Sequence, residues 1–243
     1  MRIGLIGYGR MGHEIEEAAI NRGHSVVLKI DVNNLEDFNK ENFVRLGVDV
    51  VIEFSSPTSA FENVRKCLGF GVPVVSGTTG WTEKYPLAAE ECIKNNTSFI
   101  HSSNFSIGVN LFFKINSLLS AYISGYSDYR VSMEEIHHTK KLDAPSGTAI
   151  TTAEKIIENS KKYNGWYLKT EDSGDIANKV PIVAAREGSV PGTHSVEWDS
   201  PIDSITIKHE AKNRKGFATG AVVAAEYIFD KKGVFTMSEV LGL

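Results

Sequence analysis

A glycine pattern near the start of the chain constrains its fold more than any other feature. Residues 2–6 are apolar enough for a buried strand, and a turn follows that consists of Gly7, Tyr8, Gly9, Arg10, Met11 and Gly12. A helix is predicted over 11–22, with Gly23 as its stop, and a second strand over Ser25–Ile30 ends at Asp31. In this setting the glycine turn predicts a pyrophosphate site, and Asp31 predicts a contact to the adenine ribose of a dinucleotide.

The simpler alternative is a plain glycine turn followed by a surface aspartate, but the order strand, turn, helix, strand, acid favours the dinucleotide. Asp31 is followed by Val32 and not by arginine. A 2′-phosphate would meet this carboxylate unpaired, so the sequence favours NADH over NADPH. Arg10 in the turn would offset part of that preference, unless it is only a solvated residue at the helix start.

Strands and helices alternate up to about residue 107, which predicts an α/β fold with a doubly wound parallel sheet. Further strands are predicted over 48–54, 72–76 and 98–102, with helices over 58–68 and 82–95. The fourth strand runs into Gly77, Thr78 and Thr79, small residues at the edge where such sheets bind ligands. The alternative there is a simple turn, with Trp81 packing against it.

Beyond Gly108 the pattern changes to one long apolar helix and several neighbouring strands, which predicts an inserted α+β domain with an open mixed sheet. The predicted elements are a helix over 109–123, a strand over 130–136, a helix over 148–159, a long loop over 163–179, and strands over 180–186, 193–198 and 204–210. A last helix over 214–229 returns the chain to the first domain. We therefore expect a dinucleotide domain of residues 1–107 and 212–243 and a second domain of residues 108–211. An open sheet needs cover, either by oligomerisation or by a helix.

Composition excludes several classes of protein. The hydrophobic share is 42%, the charged share 23% and the net charge −4, as in a globular protein without a basic surface for nucleic acid. No apolar run is long enough to span a membrane, and the first strand leaves no room for a signal peptide. Cys67 and Cys92 are far apart and predicted in helices, so we expect buried thiols, no disulfide or metal site, and a cytoplasmic protein.

The densest chemistry lies between residues 134 and 148. His137, His138 and Lys141 follow a predicted strand, and Gly147 and Thr148 open a predicted helix. Imidazole exchanges protons near neutral pH, lysine favours an anionic substrate, and a helix start offers N–H groups to a carboxylate or phosphate. The alternatives are a surface histidine and a helix cap formed by Ser146 or Thr148.

With these motifs the sequence resembles the dihydrodipicolinate reductase family, also called 4-hydroxy-tetrahydrodipicolinate reductase. The most specific segment is residues 135–149, Glu-Ile-His-His-Thr-Lys-Lys-Leu-Asp-Ala-Pro-Ser-Gly-Thr-Ala. Other shared segments are residues 7–12, 77–80, 104–110, 186–188, 191–194 and 217–221, so the likeness covers nearly the whole chain.

The resemblance implies a Rossmann domain with an inserted domain and the NAD(P)H-dependent reduction of 4-hydroxy-tetrahydrodipicolinate to tetrahydrodipicolinate in diaminopimelate and lysine biosynthesis. It implies that His137 is the proton donor, Lys141 the second catalytic residue, and a small dicarboxylate the substrate. It assigns the substrate contacts to His138, Gly147 and Thr148. It assigns the cofactor contacts to Gly7, Tyr8, Gly9, Arg10, Met11, Gly12, Asp31, Gly77, Thr78, Thr79, Ser103, Asn104 and Phe105. It also implies a homotetramer built through the sheet of the second domain.

Three features depart from the family pattern: the short segment between Asp31 and Val48, the pair Ser102–Ser103, and Thr193 where glutamate is frequent. The first departure bears on the choice between NADH and NADPH. Two other functions stay open at this point. A related NAD(P)-dependent dehydrogenase of an amino acid or sugar would need a different loop at residues 144–148. A non-catalytic NAD(H) sensor would have no need for His137 and Lys141 in one loop.

Overall fold

The structure, a computed structural model, describes all 243 residues and divides into two compact units. Unit 1 consists of Met1–Ile107 and Lys215–Leu243, and unit 2 of Gly108–Arg214. The boundaries predicted from the sequence were 107 and 212. No helix combines the length and the apolar composition needed to cross a membrane.

The chain forms eleven strands and eight α-helices. The strands are β1 (Arg2–Ile6), β2 (Ser25–Ile30), β3 (Val50–Glu53), β4 (Val74–Ser76), β5 (Ser98–His101), β6 (Arg130–His137), β7 (Gly165–Leu168), β8 (Lys179–Arg186), β9 (Thr193–Asp199), β10 (Ser204–Glu210) and β11 (Gly233–Phe235). The helices are α1 (Arg10–Asn21), α2 (Lys40–Arg45), α3 (Ala60–Gly69), α4 (Tyr85–Lys94), α5 (Ile107–Ile123), α6 (Gly147–Glu158), α7 (Lys215–Ile228) and α8 (Met237–Leu241).

Unit 1 contains a six-stranded sheet in the order β11-β5-β4-β3-β1-β2, with every neighbouring pair parallel. Its strands are apolar on both sides because helices cover both faces. On β3, Val50 and Ile52 join one buried cluster with α1 and α7, whereas Val51 joins a second cluster with α3 and α4. The predicted doubly wound parallel sheet is confirmed.

The turn after β1 shows why the first glycine of the pattern is required. Gly7 has a φ of +88°, and a Cβ there would lie 1.9 Å from the carbonyl oxygen of Phe54. No side chain fits against that backbone. The close approach brings the ends of β1 and β3 together, and the Phe54 N–H donates to the carbonyl of Ile6 at 2.8 Å.

Unit 2 contains a five-stranded mixed sheet in the order β10-β9-β6-β8-β7. An open mixed sheet was predicted from the sequence, with four of these five strands. Its β6 alternates between exposed and buried residues, with Val131 and Met133 facing inward. Residues of α5 and α6 pack on this inner face and form one core with it. The alternation also fixes the direction of the last buried side chains of β6, Glu135 and His137.

Three elements differ from the sequence-based expectations. The segment predicted as a loop over 163–179 contains β7, which pairs parallel with β8. Its side chains are only partly buried, so it lacks the alternation by which a strand is recognised. The other two, β11 and α8, have three and five residues, too short for a periodic pattern. Pairing of β11 with β5 and a capping box between Thr236 and Glu239 stabilise them.

Candidate active site

The end of β6 carries the residues with the densest chemistry. Glu135 is fully buried and His137, two positions later on the same face, is 8% exposed. The strand ends at His137, and the loop that follows holds His138, half-buried, and Lys141, whose N–H donates to the carbonyl of His138 at 3.0 Å. The structure therefore places both predicted catalytic residues in one turn at a strand end.

Glu135 is the centre of the hydrogen bonding in this region. Its two carboxylate oxygens accept from the backbone N–H of Ser146 at 3.1 and 3.0 Å, and one of them accepts from both terminal nitrogens of Arg186 at 3.3 Å. Its other oxygen lies 3.6 Å from His137 Nδ1 and 3.7 Å from His194 Nε2. One buried carboxylate is thus hydrogen-bonded to the start of α6 and to the end of β8, and it lies close to two imidazole rings.

These contacts shift two protonation equilibria. Burial alone would raise the pKa of Glu135, but hydrogen bonds from His194 and Ser146 outweigh it and lower that pKa to about 2. For His137, burial disfavours the charged ring and lowers the pKa to about 4. The negative charge of Glu135 opposes this, while Lys141 and Arg186 reinforce it. The unliganded protein therefore holds a neutral His137 at neutral pH.

The space beside His137 depends on a glycine. Gly192 has a φ of +157°, and a Cβ built on it would lie 3.1 Å from His137 Nε2. Glycine therefore leaves room for the edge of the imidazole that faces away from Glu135. The two ring nitrogens have different surroundings, with Nδ1 toward the carboxylate and Nε2 toward the gap beside Gly192.

The start of α6 is built around Ser146. Its hydroxyl oxygen accepts from the Ala149 N–H at 3.2 Å, so the residue caps the helix, and it also lies 3.2 Å from His194 Nε2. Gly147 and Thr148 form the first turn. Gly147 is exposed, and a Cβ there would meet nothing within 4 Å. The predicted helix cap is therefore present beside an accessible turn, and the two interpretations are compatible.

Lys141 has a partner in the unliganded protein. Its ammonium group donates to both oxygens of Asp143 at 2.7 and 2.8 Å. Burial acts to raise the pKa of Asp143, but the hydrogen bond from Lys141 prevails and lowers it.

Glu135 itself and two of its partners were not predicted as site residues. His194 lies directly opposite Glu135 in the antiparallel β6–β9 register, and Arg186 lies opposite His137 in the parallel β6–β8 register. Both belong to segments shared with the family, which is the signal that could have found them. Their contact with Glu135 depends on strand pairing that no local pattern reveals.

Glu135, His137 and His194 also form a possible metal site, whereas no metal site was predicted from the sequence. Ligand atoms of Glu135, His137 and His194 lie within 4.8 Å of one another, so they could hold a metal ion. However, Arg186 and the Ser146 N–H already occupy the carboxylate. The guanidinium would repel a cation, so the donor set fits an anion-holding network better.

In unit 1 the glycine turn is held from one side by a small polar cluster. The Tyr8 hydroxyl donates to Glu16, and Lys29 donates to the Tyr8 hydroxyl at 3.1 Å while its ammonium lies 4.6 Å above the ring. Arg10 is exposed at the start of α1, and Met11 packs against the core. At Gly9 a Cβ would meet nothing within 4 Å, so the turn presents open backbone to a ligand.

The other predicted cofactor residues lie at the carboxyl ends of the same parallel strands. Asp31 follows β2, and one of its oxygens accepts from the Val32 N–H at 2.9 Å. The Thr78 carbonyl, after β4, accepts from Trp81 Nε1 at 2.7 Å, so Trp81 supports that turn as well as packing. After β5, the Asn104 amide oxygen accepts from the Ser106 N–H at 2.9 Å.

Two predicted cofactor residues offer a ligand little of their side chains. Phe105 is 2% exposed and belongs to the core of unit 1, and Asn104 is buried as well. Ser103, beside them, is exposed. A cofactor contact at this strand end is therefore expected through Ser103 and through backbone groups.

Comparison with known proteins identifies the family that the chain resembles. A family model described as "Dihydrodipicolinate reductase, N-terminus" matches residues 1–105, and one described as "Dihydrodipicolinate reductase, C-terminus" matches residues 108–241. A 4-hydroxy-tetrahydrodipicolinate reductase of Christiangramia forsetii is 52% identical over 99% of this chain and 98% of its own. A 4-hydroxy-tetrahydrodipicolinate reductase of Methanosarcina mazei is 35% identical over 97% of this chain and 87% of its own.

Solved structures of other proteins share the fold of this chain. A dipicolinate-bound dihydrodipicolinate reductase from Paenisporosarcina sp. TG-14 superposes with a TM-score of 0.82 at 27% identity, covering 98% of each chain. A probable dehydrogenase from Thermotoga maritima, at 13% identity and a TM-score of 0.60, shares the fold alone.

The low pKa of His137 predicts an acid-sensitive stability. In the unfolded chain this histidine takes up a proton below about pH 6.5, whereas in the folded protein it does so only near pH 4. The unfolded state therefore binds more protons between these values, and the free energy of unfolding should fall as the pH falls through this window. In His137→Gln this slope should become shallower, as measured by urea unfolding at a series of pH values. An equal pH dependence of the free energy of unfolding in the two proteins would contradict a low pKa of His137 in the folded protein.

Proposed function

The chain belongs to the dihydrodipicolinate reductase family, and from that premise we propose how its residues carry out the reaction. It catalyses the NAD(P)H-dependent reduction of 4-hydroxy-tetrahydrodipicolinate to tetrahydrodipicolinate. The observation that supports the residue roles best is the buried His137, held by Glu135 beside Lys141 and the open start of α6. The place of the reaction in diaminopimelate and lysine biosynthesis follows from the substrate.

The cofactor fits the residues of unit 1. The glycine turn offers open backbone at the start of α1, where a pyrophosphate is favoured by free N–H groups and the helix dipole. When bound, the nicotinamide supplies a hydride. The residues that would hold it are those at the carboxyl ends of β1, β2, β4 and β5. The glycines from Gly7 to Gly12, Asp31, and the turns at Gly77–Thr79 and Ser103–Phe105 carry this role.

The substrate side of the reaction belongs to unit 2. The first turn of α6, at Gly147 and Thr148, binds one carboxylate of the substrate, with His138 nearby. Lys141 exchanges Asp143 for the substrate and neutralises part of its negative charge. Besides burial and His194, the positive charges of Lys141 and Arg186 lower the pKa of His137. The negative substrate offsets these two charges, so binding favours the protonated ring.

His137 then donates the proton that completes the reduction. The 4-hydroxyl of the substrate leaves as water, which gives a conjugated imine. Hydride addition to this imine then leaves electron density on a carbon, and this carbon needs a proton. The Glu135 carboxylate, 3.6 Å from Nδ1, stabilises the imidazolium by its charge, which leaves the other nitrogen for transfer. The proton passes from the ring to the carbon, and the neutral ring returns to the state it has in the unliganded protein.

Variants of the catalytic loop test these roles. Without its proton donor, His137→Gln should lose roughly 10²-fold or more in kcat, with a smaller change in KM. Lys141→Ala should mainly raise KM, because substrate charge is left unpaired. The measurement is NAD(P)H oxidation with substrate formed in situ from pyruvate and aspartate semialdehyde.

Lys140→Ala is the matched control, since Lys140 is exposed in the same loop. It should keep wild-type kinetics. A His137→Gln enzyme with unchanged kcat and a raised KM would reject the proton-donor role. Tight NADH binding by the wild type without turnover would favour the sensor function instead.

The cofactor preference is a finer proposal: NADH is favoured over NADPH. Asp31 ends β2, and no arginine follows it to pair with a 2′-phosphate. The one lysine at this strand end, Lys29, forms an ion pair of 2.6 Å with Glu16. Replacing Asp31 by Asn should therefore shift the ratio of kcat/KM for NADPH over NADH upward by about tenfold, the effect of one unpaired charge. An unchanged ratio would exclude Asp31 as the determinant.

The assembly is also a proposal: the chain forms a homotetramer through the outer face of the sheet in unit 2. Within unit 2, α5 and α6 pack on the inner face, and the outward residues include the exposed apolar side chain of Val183, at 40% exposure. A charge in a tetramer interface is costly, so Val183→Glu should yield smaller species in sedimentation equilibrium. A wild-type monomer would overturn the proposal. A cytoplasmic location stays a prediction.

A further inference from the structure

A second fully buried carboxylate lies in unit 1, and the reaction as described makes no use of it. Glu53 is the last residue of β3 and is 0% exposed. One of its oxygens accepts from the Ser55 N–H at 3.0 Å, from the Ser55 hydroxyl, and from the Thr78 hydroxyl at 2.8 Å. The other accepts from the Ser76 hydroxyl at 2.6 Å. Four donors converge on it, which is the environment of an ionised carboxylate.

The charge of Glu53 has no cationic partner. All four donors are neutral groups. The nearby imidazole of His101 contacts the Thr78 carbonyl at 3.0 Å. Burial lowers the pKa of His101, against the opposing effects of the Thr78 carbonyl and Glu53, so this ring is neutral at neutral pH. The carboxylate is therefore kept inside the domain with hydrogen bonds but without a cationic partner, at a cost in stability that points to a use.

The position of Glu53 in the sheet suggests that use. In the parallel register it lies between Ile6 and Ser76, so the two residues that follow its neighbours are Gly7 and Gly77. These begin the two turns assigned to the cofactor. In the sheet, β2 lies on one side of β1 and the following strand, β3, lies on its other side. Dinucleotides bind outside the carboxyl ends of the strands at such a change in strand order.

We propose that Glu53 stabilises the oxidised, positively charged nicotinamide relative to the reduced, neutral ring and so favours hydride donation. This inference rests on the proposed function. In the reaction the hydride carries both electrons to the substrate carbon, the ring is left with one positive charge, and the substrate gains its proton from His137. A fixed negative charge in a water-poor site stabilises that new positive charge.

The proposal predicts a difference between two affinities. Kd values for the oxidised and the reduced nucleotide are measured by isothermal titration calorimetry, without substrate or turnover. In Glu53→Gln the oxidised form should lose about tenfold more affinity than the reduced form, the effect of removing one charge at intermediate range. Glu53→Met removes the charge without keeping any hydrogen bond, and it serves if the Gln variant does not fold. Thermal unfolding shows which variants are folded.

Two further variants separate charge from structure. Glu53→Asp keeps the charge, so the ratio of the two Kd values should stay within about threefold of wild type even if both affinities fall. Glu226→Gln is the matched control. Glu226 is a partly buried carboxylate of unit 1 that pairs with Arg22 and His24, which precede β2 at the opposite edge of the sheet. It should leave the ratio unchanged.

Equal weakening of both forms in the neutral variants would mean that Glu53 only holds the Thr78 turn, and would overturn the proposal. An unchanged ratio would overturn it as well. A failure of the proposed function would give a different result. Wild-type protein would then bind neither the oxidised nor the reduced nucleotide, or it would not oxidise the reduced nucleotide in the presence of substrate. A wild type that turns over, with an unaltered ratio in Glu53→Gln, rejects this inference alone.

Discussion

The hydrogen bonds of the Glu135 carboxylate are the interaction on which the substrate half of this protein depends. A buried carboxylate must be compensated, and here the compensation comes from the Ser146 N–H, the Arg186 guanidinium and two imidazoles. Each partner comes from a different element: the start of α6, the end of β8, the end of β6 and the start of β9. Compensation of one charge therefore holds the start of α6 in place and brings His137 close to it. Loss of the carboxylate would leave the partly buried Arg186 without its counter-charge.

Each unit contains a buried carboxylate, and the two carboxylates have different kinds of hydrogen-bond partners. Glu135 and Glu53 both sit at the carboxyl end of a central strand and are both fully buried. Glu135 is surrounded by groups that can carry positive charge, whereas Glu53 receives only neutral donors. The first arrangement keeps charge balanced around His137 until substrate arrives. The second leaves a net negative charge beside the cofactor turns, suited to a ring that becomes positive. In the roles that we propose, Glu53 serves hydride transfer and Glu135 serves proton transfer.

Much of the fold was predictable because it is encoded locally. The glycine turn followed by a helix, and the strand ending at Asp31, require only neighbouring residues, and the alternation along β6 indicates which of its residues face inward. What local patterns could not supply is pairing. His194 meets Glu135 only through the antiparallel register of β6 and β9, and β7 is recognised only beside β8. Glu53 resembled an ordinary strand end, because its donors lie 2 to 25 positions away along the chain.

The central claim is that a dicarboxylate turns His137 from a neutral imidazole into the proton donor. It is tested most directly by proton uptake on binding of dipicolinate, the ligand of the related Paenisporosarcina structure, measured by calorimetry near pH 6 in buffers of different ionisation enthalpy. With an unliganded pKa of about 4, His137 carries almost no proton at that pH. We expect wild-type protein to take up about half a proton or more on binding. His137→Gln should bind with almost no uptake. Equal uptake in both proteins, or none in the wild type, would contradict the claim.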